Sequence, residues 1–339
     1  MSDTNLSYVN DSLNATLSQR DNFISALTKN MIVTALCISI NFINGTLLHT
    51  FRKHQVTDYA SNLPSFFLPQ IFNSNPRYIL FIHLVINDMI QLILSTLLHI
   101  ISYVLYTITV QLCLVVLIIT INTTINTPLN LACMAVECYI AVCMPLHHGR
   151  ICTVKKTYVL IGLIWAVGSL SILPDLFILL ATQPLHFFRS KVLCNRDSVF
   201  RSSYSLKKRD ASHIVYLVLV WLTLFYTYLR ILFAAKVATA TMKKARITIL
   251  LHGFQLLLCM LTYVAPLFQQ GLLLLLPNEL QSIRFAIYVI VQILPRFVSP
   301  IVYGLRDQTF RRYMSRYLLC KMRSNHPDNV LTSKIRPSV

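Results

Sequence analysis

Seven long apolar runs divide this chain of 339 residues. A helix needs about 20 mostly apolar residues to cross the hydrocarbon core of a bilayer, where every backbone polar group must be satisfied inside the segment. Each run is long enough, and the third and sixth are long enough to project beyond the hydrocarbon. The sequence therefore predicts an all-α membrane protein, a seven-transmembrane helix bundle, with spans at 28–51, 78–102, 110–144, 157–181, 212–235, 246–275 and 283–305.

The composition supports a membrane protein. Hydrophobic residues make up 55% of the chain and charged residues 12%, whereas about 25% of residues are charged in a typical soluble domain. The formal net charge is +18, and the basic residues lie in short loops between apolar runs. That placement indicates topology signals and contacts with anionic lipid. We therefore expect a lipid bilayer as partner and no nucleic acid.

Charge and glycosylation signals predict the same orientation. Basic residues such as Arg52, Lys156 and Lys243 mark the first, third and fifth loops and the C-terminal tail as cytoplasmic. The polar segment 1–27 holds three acceptor sequons, which favour a glycosylated extracellular tail, at Asn5, Asn10 and Asn14. The sequence thus predicts a multi-pass plasma-membrane protein, residues 28–305 forming the bundle. No repeat relates the two halves, which disfavours a transporter built from duplicated bundles.

The first loop, residues 52–77, is long for such a bundle. Removing Val56 to Gln70 would join Gln55 to Ile71 and leave a compact loop. A valine codon begins with GT and a glutamine codon can end with AG, the dinucleotides at the two ends of an intron. The stretch "LPSFFLP" can encode the pyrimidine-rich tract that precedes a splice acceptor. Residues 56–70 are therefore interpreted as an inserted or intron-like segment, with a genuine loop as the alternative.

Four motifs, in order and each on the appropriate span, resemble those of class A (rhodopsin-like) G-protein-coupled receptors, most closely fish-type odorant receptors. The third span ends "MAVECYIAVCMPLHH" where odorant receptors have MAYDRYVAICxPLHY. The seventh carries "PRFVSPIVYGLRD" in place of PMLNPxIYxLRN. KAxxTxxxH and SYxxI are matched wholly or in part by Lys244, Ala245, Thr248 and His252, and by Thr227, Tyr228 and Ile231.

The resemblance implies a receptor and not an enzyme. It implies that a small-molecule odorant binds within the bundle and that a heterotrimeric G protein, of the stimulatory type that raises cyclic AMP, is the intracellular partner. No cofactor and no metal is expected. A class A receptor for a peptide or lipid, and less readily a transporter or channel, remain the alternatives.

Several site assignments follow from the resemblance. Cys113 and Cys194 are expected to form a disulfide that pins the outer loop over the ligand cavity; the alternative is two free thiols.

In the tail, 306–339, Phe310, Met314 and Leu318 share one helical face, which predicts a short amphipathic cytoplasmic helix. Cys320 is then placed for palmitoylation.

Two charges lie deep in the spans. Asp88 occupies the place of a sodium-binding carboxylate in the family, and Arg296 lies one turn before Pro300, facing the same pocket. Because a guanidinium matches a carboxylate in a two-pronged geometry, we expect an intramembrane ion pair in which Arg296 replaces sodium. Two separately hydrated charges are the alternative.

The ligand-binding candidates are hydroxyl-bearing residues of the upper bundle. Their level carries no carboxylate, which disfavours an amine receptor. Aromatic residues in spans are also common as core or interface residues, so the tyrosines keep that alternative. The candidates are Thr120, Thr123, Thr124, Tyr216, Tyr263 and Tyr288.

At the cytoplasmic mouth the family's arginine is replaced by Cys138, which carries no cation and is a weak donor. Glu137 therefore needs another partner or stays hydrated; the cationic candidates are Arg150, Arg230, Lys244 and Arg246. We expect coupling to persist, with Arg230 or Arg246 supplying part of the missing charge; impaired coupling is the alternative. The predicted coupling residues are Glu137, Cys138, Tyr139, Arg230, Tyr228, Lys244, Arg246 and Tyr303.

Overall fold

A computed structural model describes most of the predicted bundle. The described residues are 23–60, 76–104, 107–192, 194, 196–200, 203–234, part of 250–276, and 280–299. Five groups of predicted features lie outside them: the sequons Asn5, Asn10 and Asn14; Tyr263; Lys244 and Arg246; Tyr303 and Cys320; and the amphipathic helix with Phe310, Met314 and Leu318.

The described chain is almost entirely helical. Its long helices are α1 (Phe23–Ala60), α2 (Pro76–Val104), α3 (Val110–Cys143), α5 (Val154–Thr182) and α8 (Ser203–Ala234), and its short ones are α4 (Pro145–Ile151), α6 (Leu185–Arg189) and α7 (Arg196–Val199). Every described residue between 250 and 275 is helical. After it, α9 (Leu280–Tyr288) continues through a π-helix (Val289–Ile293) into helical residues 294–299.

Helices long and apolar enough to cross a membrane coincide with the predicted spans. Six are found among the described residues, at Ser25–His49, Pro76–Ser102, Val110–Cys143, Val154–Thr182, Ile214–Ile231 and Ser282–Ser299. The predicted sixth span, 246–275, falls where the description is interrupted, and its described residues are helical. The prediction of an all-α membrane bundle is confirmed.

Helix α1 extends beyond its membrane-crossing segment. Its 38 residues correspond to about 57 Å of helix, far more than the roughly 30 Å hydrocarbon core. The helix ends at Ala60, so it includes the first five residues of the segment 56–70. The remainder of that segment lies outside the described residues.

Helix α3 is the central element. It packs against α2, α5 and α8 and also contacts the short helices α4, α6 and α7. A cluster of buried side chains joins α1, α2, α3 and α8, including Leu47, Phe81, Leu131 and Leu224. Large apolar side chains on the outer faces, such as Leu170 (70% exposed), are suited to contact with lipid.

The bundle has two distinct ends. At one, strands β1 (Ile108–Thr109) and β2 (Lys191–Val192) pair antiparallel, Ile108 opposite Val192. We call it the disulfide end because Cys113 and Cys194 are bonded there. At the other, the Glu137 end, α3 ends at Cys143 and α4 begins at Pro145.

Candidate functional site

The loop between α5 and α8 is covalently joined to the first turn of α3, at the disulfide end. Cys113 and Cys194, the pair implied by the resemblance, form a disulfide with a Cα–Cα distance of 5.5 Å. The Val110 amide donates to the Ser190 carbonyl at 3.0 Å, extending the β1–β2 pairing. Arg196, two residues after the disulfide, forms an ion pair of 3.4 Å with Asp175 of α5, which is 2% exposed. The covalent bond, strand pairing and ion pair hold one loop over this end.

The three threonines predicted to bind ligand donate to carbonyls of their own helix. Thr120 Oγ1 donates to the Val116 carbonyl at 2.8 Å, and Thr124 Oγ1 donates to the Thr120 carbonyl at 2.8 Å. Thr124 also accepts a hydrogen bond of 2.8 Å from Gln91 of α2. Thr123 is fully buried, donates within α3, and its carbonyl accepts from Asn87. Thr123 therefore links α3 to α2 through its carbonyl. Thr120 is only partly buried, and its described hydrogen bond lies within α3.

The described tyrosines differ in their surroundings. The Tyr288 hydroxyl lies 3.0 Å from Thr96 Oγ1 and 3.4 Å from Ser95 Oγ, both on α2. Its ring stacks on His99, with centroids 4.4 Å apart. Tyr216 donates to the Val167 carbonyl of α5 at 3.5 Å. Tyr288 thus belongs to a mixed polar and aromatic cluster between α2 and α9, and Tyr216 lies at the contact between α8 and α5.

Asp88 is the centre of a polar chain across the bundle. Its carboxylate, on a residue 1% exposed, accepts from Ser299 Oγ at 2.9 Å and from Thr127 Oγ1 at 3.4 Å. Asn87 donates to Thr127 Oγ1 at 3.0 Å, and Gln255 donates to Ser299. The chain connects α2, α3, the helical region of residues 250–275 and the end of the seventh predicted span.

The ion pair between Asp88 and Arg296 stays a prediction, and no described hydrogen bond joins the two side chains directly. Among the described contacts of Arg296, Nη1 donates to the carbonyls of Val291 and Gln292, at 3.0 Å each. Pro295 has no N–H to offer the Val291 carbonyl four residues earlier, so the guanidinium satisfies an acceptor that a proline leaves open. Arg296 and Asp88 still interact electrostatically, but Ser299 and Thr127 are the hydrogen-bond donors to the carboxylate.

At the other end, the buried Glu137 carboxylate binds two basic side chains. Arg77, at the start of α2, donates from Nε to Oε2 at 2.8 Å and from Nη2 to Oε1 at 3.1 Å. His148 of α4 lies with Nε2 3.1 Å from Oε1. Glu137 has a side chain only 6% exposed, against 37% for Arg77. One carboxylate therefore joins α2, α3 and α4.

Glu137 thus finds partners other than those predicted from its position. Of the four cationic candidates, Lys244 and Arg246 lie outside the described residues, and no described contact joins Arg150 or Arg230 to Glu137. Arg230 is exposed and interacts with Tyr139, whose ring meets Tyr226 edge to face at 6.0 Å between centroids. The residues that sequence reasoning missed are Arg77 and His148. Arg77 directly precedes the second predicted span, 78–102, so the predicted topology places it at the same end of the bundle as Glu137.

Cys138 occupies an apolar contact between α3 and α8. It is 3% exposed and forms a cluster with Ile231, against which Tyr139, Val142, Cys143 and Tyr228 pack. A small polarizable thiol suits such a contact, whereas a guanidinium there would have to be desolvated. The residue that departs from the family pattern therefore fills part of the α3–α8 interface.

Cys152, between α4 and α5, lies near the same carboxylate. Burial, reinforced by the negative charge of Glu137, raises the pKa of the Cys152 thiol. The thiol consequently stays protonated near neutral pH, which makes it a poor nucleophile.

The described spans, the disulfide-held loop and the polar chain through the core define a polytopic helical membrane protein. Residues 71–303 match the family described as 7 transmembrane receptor (rhodopsin family). The chain belongs to that family, and its fold is the seven-helix bundle.

One relative carries a more specific name. The chain is 31% identical over 199 residues to Odorant receptor 131-2 of Danio rerio. The aligned region covers 57% of this chain and 60% of the length of that protein.

Proposed function

We propose that this protein is an odorant receptor, which binds a small odorant within the bundle and activates a heterotrimeric G protein. The observation that carries the proposal is the similarity to Odorant receptor 131-2, in a chain that belongs to the rhodopsin family. By the same proposal the G protein is of the stimulatory type, and binding raises cyclic AMP.

The disulfide end suits ligand entry. The fastened loop gives this end a fixed cover, and hydroxyl groups on α2, α3 and α9 lie beneath it. The proposed ligand-contacting residues are Thr120, Thr123, Thr124, Tyr216, Tyr263 and Tyr288. Among them Tyr288 has the strongest support, because its hydroxyl and ring both lie in a cluster between two helices.

The Glu137 end is the proposed surface for the G protein. It combines a buried carboxylate held by Arg77 with exposed basic and aromatic groups, including Arg230 and Tyr226. The proposed coupling set remains Glu137, Cys138, Tyr139, Tyr228, Arg230, Lys244, Arg246 and Tyr303. Because Cys138 carries no cation, positive charge at this surface must come from other residues.

In the proposed topology, residues 1–27 are extracellular and 306–339 are cytoplasmic, in the plasma membrane. Glycans on Asn5, Asn10 and Asn14, and palmitate on Cys320, belong to the same proposal. Enzymatic deglycosylation should lower the apparent mass of the wild type and leave the triple Asn→Gln variant unchanged. A residual shift in that variant would contradict the orientation.

The proposal also retains residues 56–70 as an inserted or intron-like segment of the first loop. Sequencing of transcripts from the tissue that expresses the gene tests this directly. Transcripts lacking these codons are expected, and their complete absence, with loss of folding on deletion, would contradict it.

The receptor function is tested with an odorant panel on cells that carry the protein at their surface. Cyclic AMP should rise with at least one small volatile or water-soluble odorant, and not in cells that carry a matched empty vector. A response only to peptides or lipids would replace the odorant assignment. Ligand-driven solute or ion flux without cyclic AMP would replace the receptor assignment.

A further inference from the structure

Basic side chains form an exposed patch at the Glu137 end, where α4 is followed by α5. Arg150 lies in the last turn of α4, and Lys155 and Lys156 lie in the first turn of α5. All three residues are exposed. Lys156 Nζ donates to the Arg150 carbonyl at 2.9 Å, which holds its ammonium group beside the end of α4. We call these three residues the basic patch.

The positive charge of the basic patch is not neutralised by nearby carboxylates. Residues 145–161 contain no aspartate and no glutamate. Glu137, the carboxylate at this end of α3, is buried and already binds Arg77 and His148. Within the part of the chain that the structure describes, no ion pair involves any residue of the basic patch. The patch therefore offers its charge to an anion from outside the protein.

The length of α5 places the basic patch at the surface of the bilayer. The helix has 29 residues, which correspond to about 43 Å. A bilayer is roughly 40–45 Å thick when its headgroup layers are included, and its hydrocarbon core is about 30 Å thick. The first turn of α5 therefore lies at the level of the lipid headgroups, beyond the hydrocarbon.

The outer face of α5 continues from the basic patch as an apolar stripe. Val159 and Leu163 follow Lys155 at intervals of four residues, so the three side chains lie on one face of the helix. Val159 is 63% exposed and Leu163 is 56% exposed. Over these eight residues the helix rises about 12 Å, most of the roughly 15 Å of hydrocarbon in one leaflet. The face thus pairs a cation at headgroup level with an apolar surface at acyl-chain level.

We propose that the basic patch and this apolar stripe bind an anionic phospholipid in the leaflet at the Glu137 end. The basic side chains donate to the headgroup, and the acyl chains pack along Val159 and Leu163. A soluble acidic partner would use only the charges, whereas a lipid also covers the exposed stripe that continues from them. In the proposed orientation this is the cytoplasmic leaflet, which carries anionic lipid. The site itself depends on neither that orientation nor the proposed receptor function.

The test is native mass spectrometry of the full-length protein, titrated with phosphatidylserine and with phosphatidylcholine of the same acyl chains. The wild type should bind phosphatidylserine more tightly. A cation near an anionic membrane surface strengthens binding by roughly fivefold. Lys155→Gln/Lys156→Gln should therefore reduce the preference for phosphatidylserine by about 10- to 30-fold. The matched control is Arg189→Gln/Lys191→Gln, an exposed basic pair at the disulfide end, which should keep the preference.

Four outcomes would overturn the proposal. The first is a wild type without the preference, and the second is an equal loss of preference in the two double variants. The third is equally tight binding of glycerophosphoserine, which has the headgroup without acyl chains and would indicate a site for a soluble anion. The fourth is an unchanged lipid preference with a weaker cyclic AMP response in Lys155→Gln/Lys156→Gln, which would assign the patch to a protein partner.

A single substitution keeps the test decisive if that double variant does not fold. Lys155→Gln leaves the hydrogen bond from Lys156 to the Arg150 carbonyl in place. The preference for phosphatidylserine should then fall by about fivefold. An unchanged preference in this variant would also overturn the proposal.

Discussion

The pairing of Glu137 with Arg77 can be tested quantitatively. The perturbations are Arg77→Met, which keeps the apolar stem and removes the charge, and Glu137→Gln, which keeps the shape and removes the charge. Each variant, the double variant and the wild type form a double-mutant cycle. The two residues are 60 positions apart in the chain and on different helices, so their coupling measures a tertiary contact.

The expected magnitude follows from the geometry. Two charge-assisted hydrogen bonds, of 2.8 and 3.1 Å, join the side chains, and each such bond contributes about 1.5–3 kcal/mol. Because the Arg77 side chain is 37% exposed, solvent screening reduces that sum substantially. His148 continues to hold Glu137 after Arg77 is lost, which lowers the penalty further. We therefore expect a coupling energy of roughly 2 kcal/mol.

The assay is thermal unfolding of purified full-length protein in one detergent, with surface expression measured in parallel. A loss of about 2 kcal/mol corresponds to a fall of roughly 4–8 °C for a chain of 150–250 residues, and to a smaller fall of a few degrees for this longer chain. Lys155→Met is the matched control, since it removes an exposed cation in the first turn of α5 and should leave the melting temperature nearly unchanged.

The double variant should lose clearly less than the sum of the two single losses. Additivity within about 0.5 kcal/mol would refute the reasoning, because independent sites add within that margin. A large fall for Lys155→Met would show that loss of any cation at this end is destabilising.

Three further outcomes are expected. Gly168→Ala should lower the melting temperature by several degrees, because the added Cβ would overlap Asn122. Gly162→Ala on the same helix should leave the melting temperature unchanged or raise it slightly, because nothing lies within 4 Å of the added Cβ. Equal effects of the two substitutions would contradict the close approach of Gly168 to Asn122. Arg296→Met should cost less stability in a Pro295→Ala background than in the wild type, because the alanine N–H can donate to the Val291 carbonyl. An equal cost in both backgrounds would show that Arg296 does not replace that missing hydrogen bond. Cys138→Arg should reduce surface expression by placing a cation in the α3–α8 contact, and unchanged expression and stability would contradict that packing.

The sequence by itself determined where the helices cross the membrane. Length and apolarity are local properties, and in hydrocarbon a backbone has no alternative to internal hydrogen bonding, so the spans 78–102 and 110–144 correspond closely to α2 and α3. The joining of Cys113 to Cys194 was also predictable, but through family resemblance. The central, buried position of Asp88 followed from its depth within a span.

Only the tertiary structure decided which polar groups meet. The partner of a side chain depends on the rotation and depth of each helix relative to its neighbours, and neither is written in the apolar pattern. Glu137 therefore pairs with Arg77, 60 residues earlier, and not with the cations considered from the sequence. Arg296 turns to the carbonyls near Pro295 because the nearest open acceptors lie in its own helix, while Ser299 and Thr127 already donate to Asp88.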